Sequence, residues 1–192
     1  MGFQRAFTKI TLLISLSVLF IACGGGGGSG GSPDPVPYSI GDQGPAGGIV
    51  FYVTDGGLRG LEAAPADQST GAPWGCWGTD IAGADGTAVG TGAQNTIDIL
   101  AGCGELGIAA RLADIYTLNG FSDWYLPSKD ELNELYLQKA VVGGFPSTVY
   151  YSSSEIDANW VWDQFFEDGF MGNQGSGAKD GGFFGVRAVR AF

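Results

Sequence analysis

Residues 119–136 read NGFSDWYLPSKDELNELY, a loop of polar and aromatic side chains that runs directly into the start of a helix. Ser128 is a favoured N-cap residue, and Glu131 follows three positions later, which is the capping-box pattern. Pro127 comes immediately before the cap. The stretch therefore predicts a helix over residues 129–139.

The first half of this stretch offers a structural and a ligand-binding interpretation, and we favour the structural one. Asn119 and Gly120 form a turn signal, and Asp123 is expected to accept hydrogen bonds from nearby backbone amides. Trp124 and Leu126 are expected to enter the core beside the helix. The other interpretation, in which Asn119, Asp123 and Trp124 contact a ligand, remains open.

Apolar periodicity on both sides of the stretch indicates strands, then helices, then strands again. The strand predictions cover residues 48–53, 60–64, 150–154, 160–166 and 182–192, and the helix predictions upstream cover residues 95–103 and 108–115. Residues 55–57 form a turn signal that makes the first two strands a hairpin. The pattern predicts an α+β fold with an antiparallel sheet, about three helices and long glycine-rich loops, of which residues 70–92 are the longest.

The first 22 residues have the pattern of an export signal. Arg5 and Lys9 precede thirteen residues that are apolar apart from Ser and Thr. Thirteen helical residues are too few to cross a hydrocarbon layer of about 30 Å. The sequence therefore predicts a cleaved signal peptide over residues 1–22 rather than a membrane span.

The end of the signal, Leu-Phe-Ile-Ala-Cys over residues 19–23, resembles that of a bacterial lipoprotein. The resemblance implies lipidation of Cys23, anchoring to a membrane and, because Gly24 follows, an outer-membrane or cell-surface destination. An ordinary signal peptide cut near Ala22 is the alternative. Residues 23–37 then form a glycine- and proline-rich tether, and residues 38–192 are expected to form a single domain.

Charge restricts the partners of this domain. The chain has 9 basic and 20 acidic residues, a formal net charge of −11. Removal of Arg5 and Lys9 with the signal leaves 9 − 2 = 7 basic residues and a net charge of 7 − 20 = −13. Such a domain repels polyanions, so a nucleic-acid partner is not expected.

Cys76 and Cys103 form an even pair in an exported chain, which predicts a disulfide. The alternatives are a catalytic thiol, which needs a base, and a zinc site, which needs more ligands. The chain contains no histidine, so neither alternative is favoured. Trp74 and Trp77 flank Cys76, where packing against the disulfide and stacking on a ligand are both open.

Several motifs in one order resemble the C-terminal domain of the Legionella collagen-like adhesin. They are GPAGGIVFY at 44–52, GLEAA at 60–64, NGFSDWYLPS at 119–128, YSSSE at 151–155 and VRAVR at 186–190. The match spans residues 38–192. The Leu-Pro-Ser step at residues 126–128 and the terminal strand are also similar to the sulfatase-modifying formylglycine-generating enzymes, which implies a C-type-lectin-like fold.

These resemblances carry functional expectations. The adhesin domain implies binding of sulfated glycosaminoglycans or other host ligands and a homotrimer, although the acidic charge opposes a sulfated ligand. The formylglycine-generating enzymes use a cysteine pair near the C-terminus, and this chain has no cysteine after Cys103. We therefore expect a binding protein rather than an enzyme, and the paired carboxylates Glu155 and Asp157 do not by themselves indicate acid–base catalysis.

The leading hypothesis is an exported, lipid-anchored adhesion domain that recognises an extracellular carbohydrate or a protein ligand. The alternative is a structural or envelope-interaction lipoprotein without a glycan ligand. No cofactor is expected, since acidic content without a spaced loop is a weak calcium signal. The candidate ligand-binding residues are Trp74, Trp77, Trp160, Lys179 and Arg187.

Overall fold

A computed structural model describes residues 36–147, 149–167, 174–182 and 184–192 of the chain. The expected signal peptide, the lipidation site Cys23 and the tether up to residue 35 lie outside the described residues. Among the residues described, no helix combines the length and the hydropathy needed to cross a membrane.

Eight strands and four helices make up the described residues, which confirms the α+β class. The strands are β1 (Ile49–Thr54), β2 (Arg59–Ala63), β3 (Ser69–Ala72), β4 (Val149–Glu155), β5 (Trp160–Phe165), β6 (Gln174–Ala178), β7 (Phe184–Val186) and β8 (Val189–Ala191). The helices are α1 (Gly92–Gly102), α2 (Ala109–Asp114), α3 (Lys129–Leu137) and α4 (Lys139–Val142). Three helices were predicted, and α4 is an additional short turn of helix after α3.

The first sheet is antiparallel and has the order β1-β2-β8. The predicted hairpin of β1 and β2 is confirmed, with Val53 opposite Gly60 and Thr54 opposite Arg59. The turn between them is possible because Gly56 and Gly57 adopt positive φ values of 66° and 91°. Strand β8 then joins the free edge of β2 and brings the last described residues beside the first hairpin.

The second sheet has the order β3-β7-β4-β5-β6 and is mixed, because β4 pairs with β7 in parallel. The expectation of antiparallel pairing alone was therefore wrong at this one pair. The single strand predicted over residues 182–192 was also wrong, since it is divided into β7 in this sheet and β8 in the first. The division falls at Arg187 and Ala188, and the buried Arg187 guanidinium there bonds to Asp67 and to three backbone carbonyl oxygens.

The capping box that begins α3 is present. Ser128 N–H donates to Glu131 Oε2 at 2.8 Å, and Glu131 N–H donates to Ser128 Oγ at 3.4 Å. Leu132 and Leu135 on the inner face of α3 are buried. The local sequence thus fixes both the start of this helix and the face that it buries.

Asn119, Gly120, Asp123, Trp124 and Leu126 of the loop before α3 all have structural contacts or conformations. Asn119 and Gly120 form a tight turn with positive φ values of 50° and 86°, and Trp124 and Leu126 are buried in the core. Asp123 accepts a hydrogen bond from its own backbone amide, as predicted, and its carboxylate also pairs with the side chain of Arg190, with Oδ1 2.6 Å from Nε. A charged side chain from β8 is a stronger partner than a local amide, since it adds attraction between opposite charges.

Candidate functional site

Two exposed tryptophans meet on the surface of the domain. The side chains of Trp77 and Trp160 are 47% and 43% exposed, and their ring centroids lie 6.4 Å apart with an angle of 69° between the ring planes. Large aromatic side chains usually bury most of their surface. The Trp77–Trp160 pair therefore offers two accessible indole surfaces at one place.

The backbone around the pair is held by short-range and long-range bonds. The Cys76–Cys103 disulfide, predicted from the sequence, is present and fastens the loop that carries Trp77. Gly78 N–H donates to Ala158 O at 2.9 Å, which joins this loop to the turn between β4 and β5. Asp157 Oδ1 closes that turn by accepting a bond from Trp160 N–H at 2.9 Å. Both tryptophans thus stand on positioned backbone, so a ligand would meet a largely formed surface.

Trp162 continues the aromatic surface along β5, and the candidate set from the sequence did not include it. It is half-buried, and Lys129 Nζ lies 4.5 Å from the centroid of its ring. Alternate residues of a strand face the same side, so Trp160 and Trp162 of β5 share one side. This alternation is the sequence signal that could have added Trp162 to the candidate set.

The structure places three of the five candidate residues in the interior, and two of them, Lys179 and Trp74, lie in contact with each other. Both side chains are buried, and Lys179 Nζ forms an ion pair with the Glu155 carboxylate and donates to Thr79 O at 2.6 Å. The same ammonium lies 4.7 Å from the centroid of the Trp74 ring. Burial raises the pKa of the Glu155 carboxyl, and the hydrogen bond from Lys179 acts in the opposite direction. These side chains support the surface from below and do not reach it.

Arg187 is also buried, 1% exposed, at the point where β7 ends. Its Nε donates to Asp67 Oδ1 at 2.7 Å, and its guanidinium carbon lies 4.2 Å from the centroid of the Phe145 ring. Burial raises the pKa of the Asp67 carboxyl, with the positive charge of Arg187 opposing the shift. Arg187 therefore joins distant segments and does not converge with the Trp77–Trp160 pair.

The surface charge of the described residues is almost entirely acidic. Seven basic side chains fall in the described ranges, and three of these, Lys179, Arg187 and Arg190, are buried in ion pairs. Arg59 is the one basic side chain in these ranges that is largely exposed, while Lys129, Lys139 and Arg111 are partly covered. The exposed acidic side chains are Asp42, Asp55, Asp80, Asp85, Glu105, Asp114, Asp123, Asp157, Glu167 and Asp180. The basic side chains of the described ranges form no exposed cluster that could hold a sulfate group.

Acid–base and metal chemistry find little geometric support in the described residues. Glu155 faces inward to Lys179, whereas Asp157 closes an exposed turn. Cys76, Cys103 and Glu105 form the one group of potential metal ligands in the part of the chain that the structure describes. The two sulfur atoms of that group are bonded to each other, and a disulfide does not supply thiolate ligands.

A cavity with a volume of about 760 Å³ lies away from the tryptophan pair. It is mainly apolar and lies between the first sheet and the loop before α1, with Tyr52, Leu61, Val89, Tyr125 and Phe192 in its walls. Tyr125 is anchored there by a 3.4 Å bond from its hydroxyl to Glu131 Oε1. None of the candidate residues predicted from the sequence lines this cavity.

The Trp77–Trp160 pair presents an exposed aromatic surface among the described residues, and the buried Lys179–Glu155 ion pair lies in the interior of the same region. Comparison of the sequence with protein-family models and with curated proteins gave no match.

Proposed function

We propose that this chain is an exported, lipid-anchored binding protein whose domain recognises an extracellular carbohydrate through the Trp77–Trp160 pair. Export and lipidation at Cys23 rest on the pattern of residues 1–23, and the glycine-rich tether up to residue 37 lets the domain stand away from the membrane surface. An outer-membrane or cell-surface position follows from the same pattern.

The observation that carries the proposal is the exposure of two adjacent indoles, those of Trp77 and Trp160, in a domain that buries two other tryptophans. Trp74 and Trp124 are 1% and 2% exposed, so this fold has the capacity to enclose tryptophan. Burial of apolar surface stabilises a protein by about 25 cal/mol per Å², and an indole that stays exposed to water does not contribute this stabilisation. An exposed indole face offers a flat apolar surface to the apolar face of a sugar ring.

We assign the domain to the C-type-lectin-like fold on the Leu-Pro-Ser step at residues 126–128 and the terminal strand, which resemble the formylglycine-generating enzymes. The α+β architecture, the long loop over residues 73–91 and the pairing of β8 with the first hairpin agree with this assignment. The adhesin resemblance implies a homotrimer, and we include it in the proposal. Three copies of the Trp77–Trp160 pair would raise the avidity for a repeating glycan without a new contact.

A glycan array with the purified full chain tests the proposal. We expect binding that falls at least fivefold in Trp77→Ala and in Trp160→Ala, because each substitution removes one indole surface. Leu106→Ala is the matched control, since Leu106 is 85% exposed and apolar but is not part of the pair. Folding of all variants is checked by circular dichroism.

The same experiment distinguishes the alternative function. A folded protein that binds no glycan, and that instead captures envelope proteins equally well with and without the two indoles, would favour a structural or envelope-interaction lipoprotein. Binding that is unchanged in both tryptophan variants would move the glycan site to another surface and would contradict the proposal.

A further inference from the structure

We propose that the ligand of the Trp77–Trp160 pair is an oligosaccharide of amino sugars whose amino groups are free and protonated. This inference rests on the proposed function and specifies its ligand. It follows from the geometry of the two indoles together with the charges that surround them.

The two indole rings form adjacent walls. Their planes meet at 69° in an edge-to-face contact, with 6.4 Å between the ring centroids, so one bound group can contact both indoles. The negative face of an aromatic ring attracts cations, and tryptophan is the strongest of the aromatic residues in this respect. Aromatic side chains grouped around one site bind alkylated ammonium groups in proteins. The pair is therefore suited to an ammonium group as well as to a sugar face.

Three turns meet beside the pair, and each carries an exposed carboxylate. Asp80 lies three residues after Trp77, Asp157 lies in the turn that Trp160 closes, and Asp180 follows β6, in which Ala178 is the cross-strand partner of Trp160. The turns are joined by bonds from Gly78 N–H to Ala158 O at 2.9 Å and from Lys179 N–H to Asn159 O at 3.0 Å. The three carboxylates therefore share one region of the surface.

The one basic side chain in the three turns, that of Lys179, points into the interior and does not neutralise the exposed carboxylates. Its ammonium is buried against Glu155 and Thr79 O. Asp80, Asp157 and Asp180 have no ion-pair partner among the described residues. Asp157 uses only Oδ1 to close its turn, accepting from Asn159 N–H at 2.8 Å and from Trp160 N–H. A protonated ligand gains from these charges, whereas a sulfated or carboxylated ligand is repelled.

An amino sugar satisfies both features at once. Its ring presents an apolar face to one indole, and its ammonium group is attracted by the indole faces and by the carboxylates. N-acetylation removes the charge and leaves the ring, and N-sulfation replaces the ammonium group with a negatively charged sulfamate. These three chemical forms therefore separate aromatic stacking from charge recognition.

The test is isothermal titration calorimetry on the full chain at pH 6 with three trisaccharides, the trimers of glucosamine, of N-acetylglucosamine and of N-sulfated glucosamine. We expect the glucosamine trimer to bind at least tenfold more tightly than the acetylated trimer, and the sulfated trimer to give no heat of binding. The triple variant Asp80→Asn, Asp157→Asn, Asp180→Asn should weaken binding of the glucosamine trimer at least fivefold and leave the acetylated trimer unchanged. An asparagine at position 157 can still accept the two backbone bonds through its side-chain oxygen, so the turn that carries Trp160 is kept.

The matched control is the triple variant Asp42→Asn, Asp55→Asn, Asp114→Asn, which changes the net charge equally at exposed positions outside the three turns. It should bind the glucosamine trimer as the unchanged chain does. Equal affinity for the acetylated and free trimers, or an equal effect of the two triple variants, would overturn the ammonium proposal while leaving glycan binding in place. Failure of all three trimers to bind would overturn the ammonium proposal, and the proposed function fails separately if the glycan array is also empty.

Discussion

Glu62 and Arg190 are directly opposite each other on β2 and β8, with Glu62 Oε1 3.0 Å from Arg190 Nη1. Glu62 is fully buried and also accepts bonds from Ala46 N–H at 3.1 Å and Gly48 N–H at 2.9 Å. The Glu62 carboxylate therefore connects the segment just before β1 to the last strand, β8. We expect Glu62→Ala to lower the free energy of unfolding by about 3 kcal/mol or more, measured by urea denaturation, because it removes the buried partner of Arg190 Nη1 and leaves two amides without an acceptor.

Asp123 provides the matched control for this prediction, because it is the other carboxylate that Arg190 contacts. Its side chain is 62% exposed, and an exposed ion pair contributes about 0 to 1 kcal/mol. Asp123→Ala should therefore lower the stability by less than about 1 kcal/mol. Equal losses in the two variants would show that the buried network around Glu62 is not what joins β2 to β8.

Asp163 predicts a pH dependence of stability. Its side chain is 3% exposed on β5, and burial raises the pKa of its carboxyl from 3.8 to about 6. Between pH 4 and 6 the folded state keeps a proton that the unfolded state has released, so the contribution of Asp163 to stability falls as the pH rises through this window. Above pH 6 the buried charge should destabilise the domain by about 3 kcal/mol relative to pH 3.

Asp163→Asn removes the titrating group and keeps its shape, so it should raise the stability at pH 7 and flatten the profile between pH 4 and 6. Urea denaturation at several pH values measures both effects. Asp157→Asn serves as the control, since that carboxylate is exposed in a turn. If Asp163→Asn keeps the pH dependence of the unfolding free energy seen in the unchanged chain, titration of Asp163 is not the cause of that dependence.

Trp124 is expected to be a core residue whose loss unfolds the domain. It is 2% exposed and its ring packs edge to face on Tyr116, with 5.2 Å between the ring centroids. Trp124→Ala should cost about 3 to 5 kcal/mol in a thermal or urea melt, because it leaves a large cavity. Trp77→Ala, at an exposed position, should cost less than about 1 kcal/mol. Lost binding with unchanged stability in the variant at position 124 would instead make Trp124 a ligand contact.

Local signals predicted the parts of the fold whose decisive contacts are close in sequence. The start of α3 depends on bonds between Ser128 and Glu131, and the hairpin depends on a turn of three residues. Strand β6 was missed because its sequence, QGSGA, has no β-branched or aromatic residue. Pairing with β5 over five positions makes this segment a strand, and such tertiary pairing leaves no trace in local propensity.

The candidate site was predicted in part for the same reason. Trp77 and Trp160 stood out as aromatics beside a cysteine and in a strand, but their contact joins residues 83 positions apart. Lys179 and Arg187 looked like ligand contacts because their acidic partners lie 24 and 120 residues away. A basic residue in an acidic chain is as readily an interior ion pair as a surface contact, and only the fold separates the two.

The disulfide should stabilise the domain measurably. Cys76 and Cys103 close a loop with a sequence separation of 27, for which chain entropy predicts about 3 to 4 kcal/mol. The double variant Cys76→Ala, Cys103→Ala should lose about that amount in urea denaturation. Reductant should lower the stability of the unchanged chain to a similar value and have no effect on the variant. A reductant effect that persists in the variant would trace the loss to something other than this bond.

Substitution of Lys179 tests whether this residue supports the fold or contacts the ligand. Lys179→Met leaves the Glu155 carboxylate buried without its cation, and breaking such a pair costs about 3 to 5 kcal/mol. The double variant Glu155→Gln, Lys179→Met removes both charges, so it should regain at least about 2 kcal/mol of that loss, as urea denaturation would show. Binding at the Trp77–Trp160 pair, measured per mole of folded protein, should be the same in the double variant as in the unchanged chain, because the ammonium does not reach the surface. A double variant that recovers its stability but not its affinity would place Lys179 in contact with the ligand, and the direction of its side chain in the bound state would then differ from the one described.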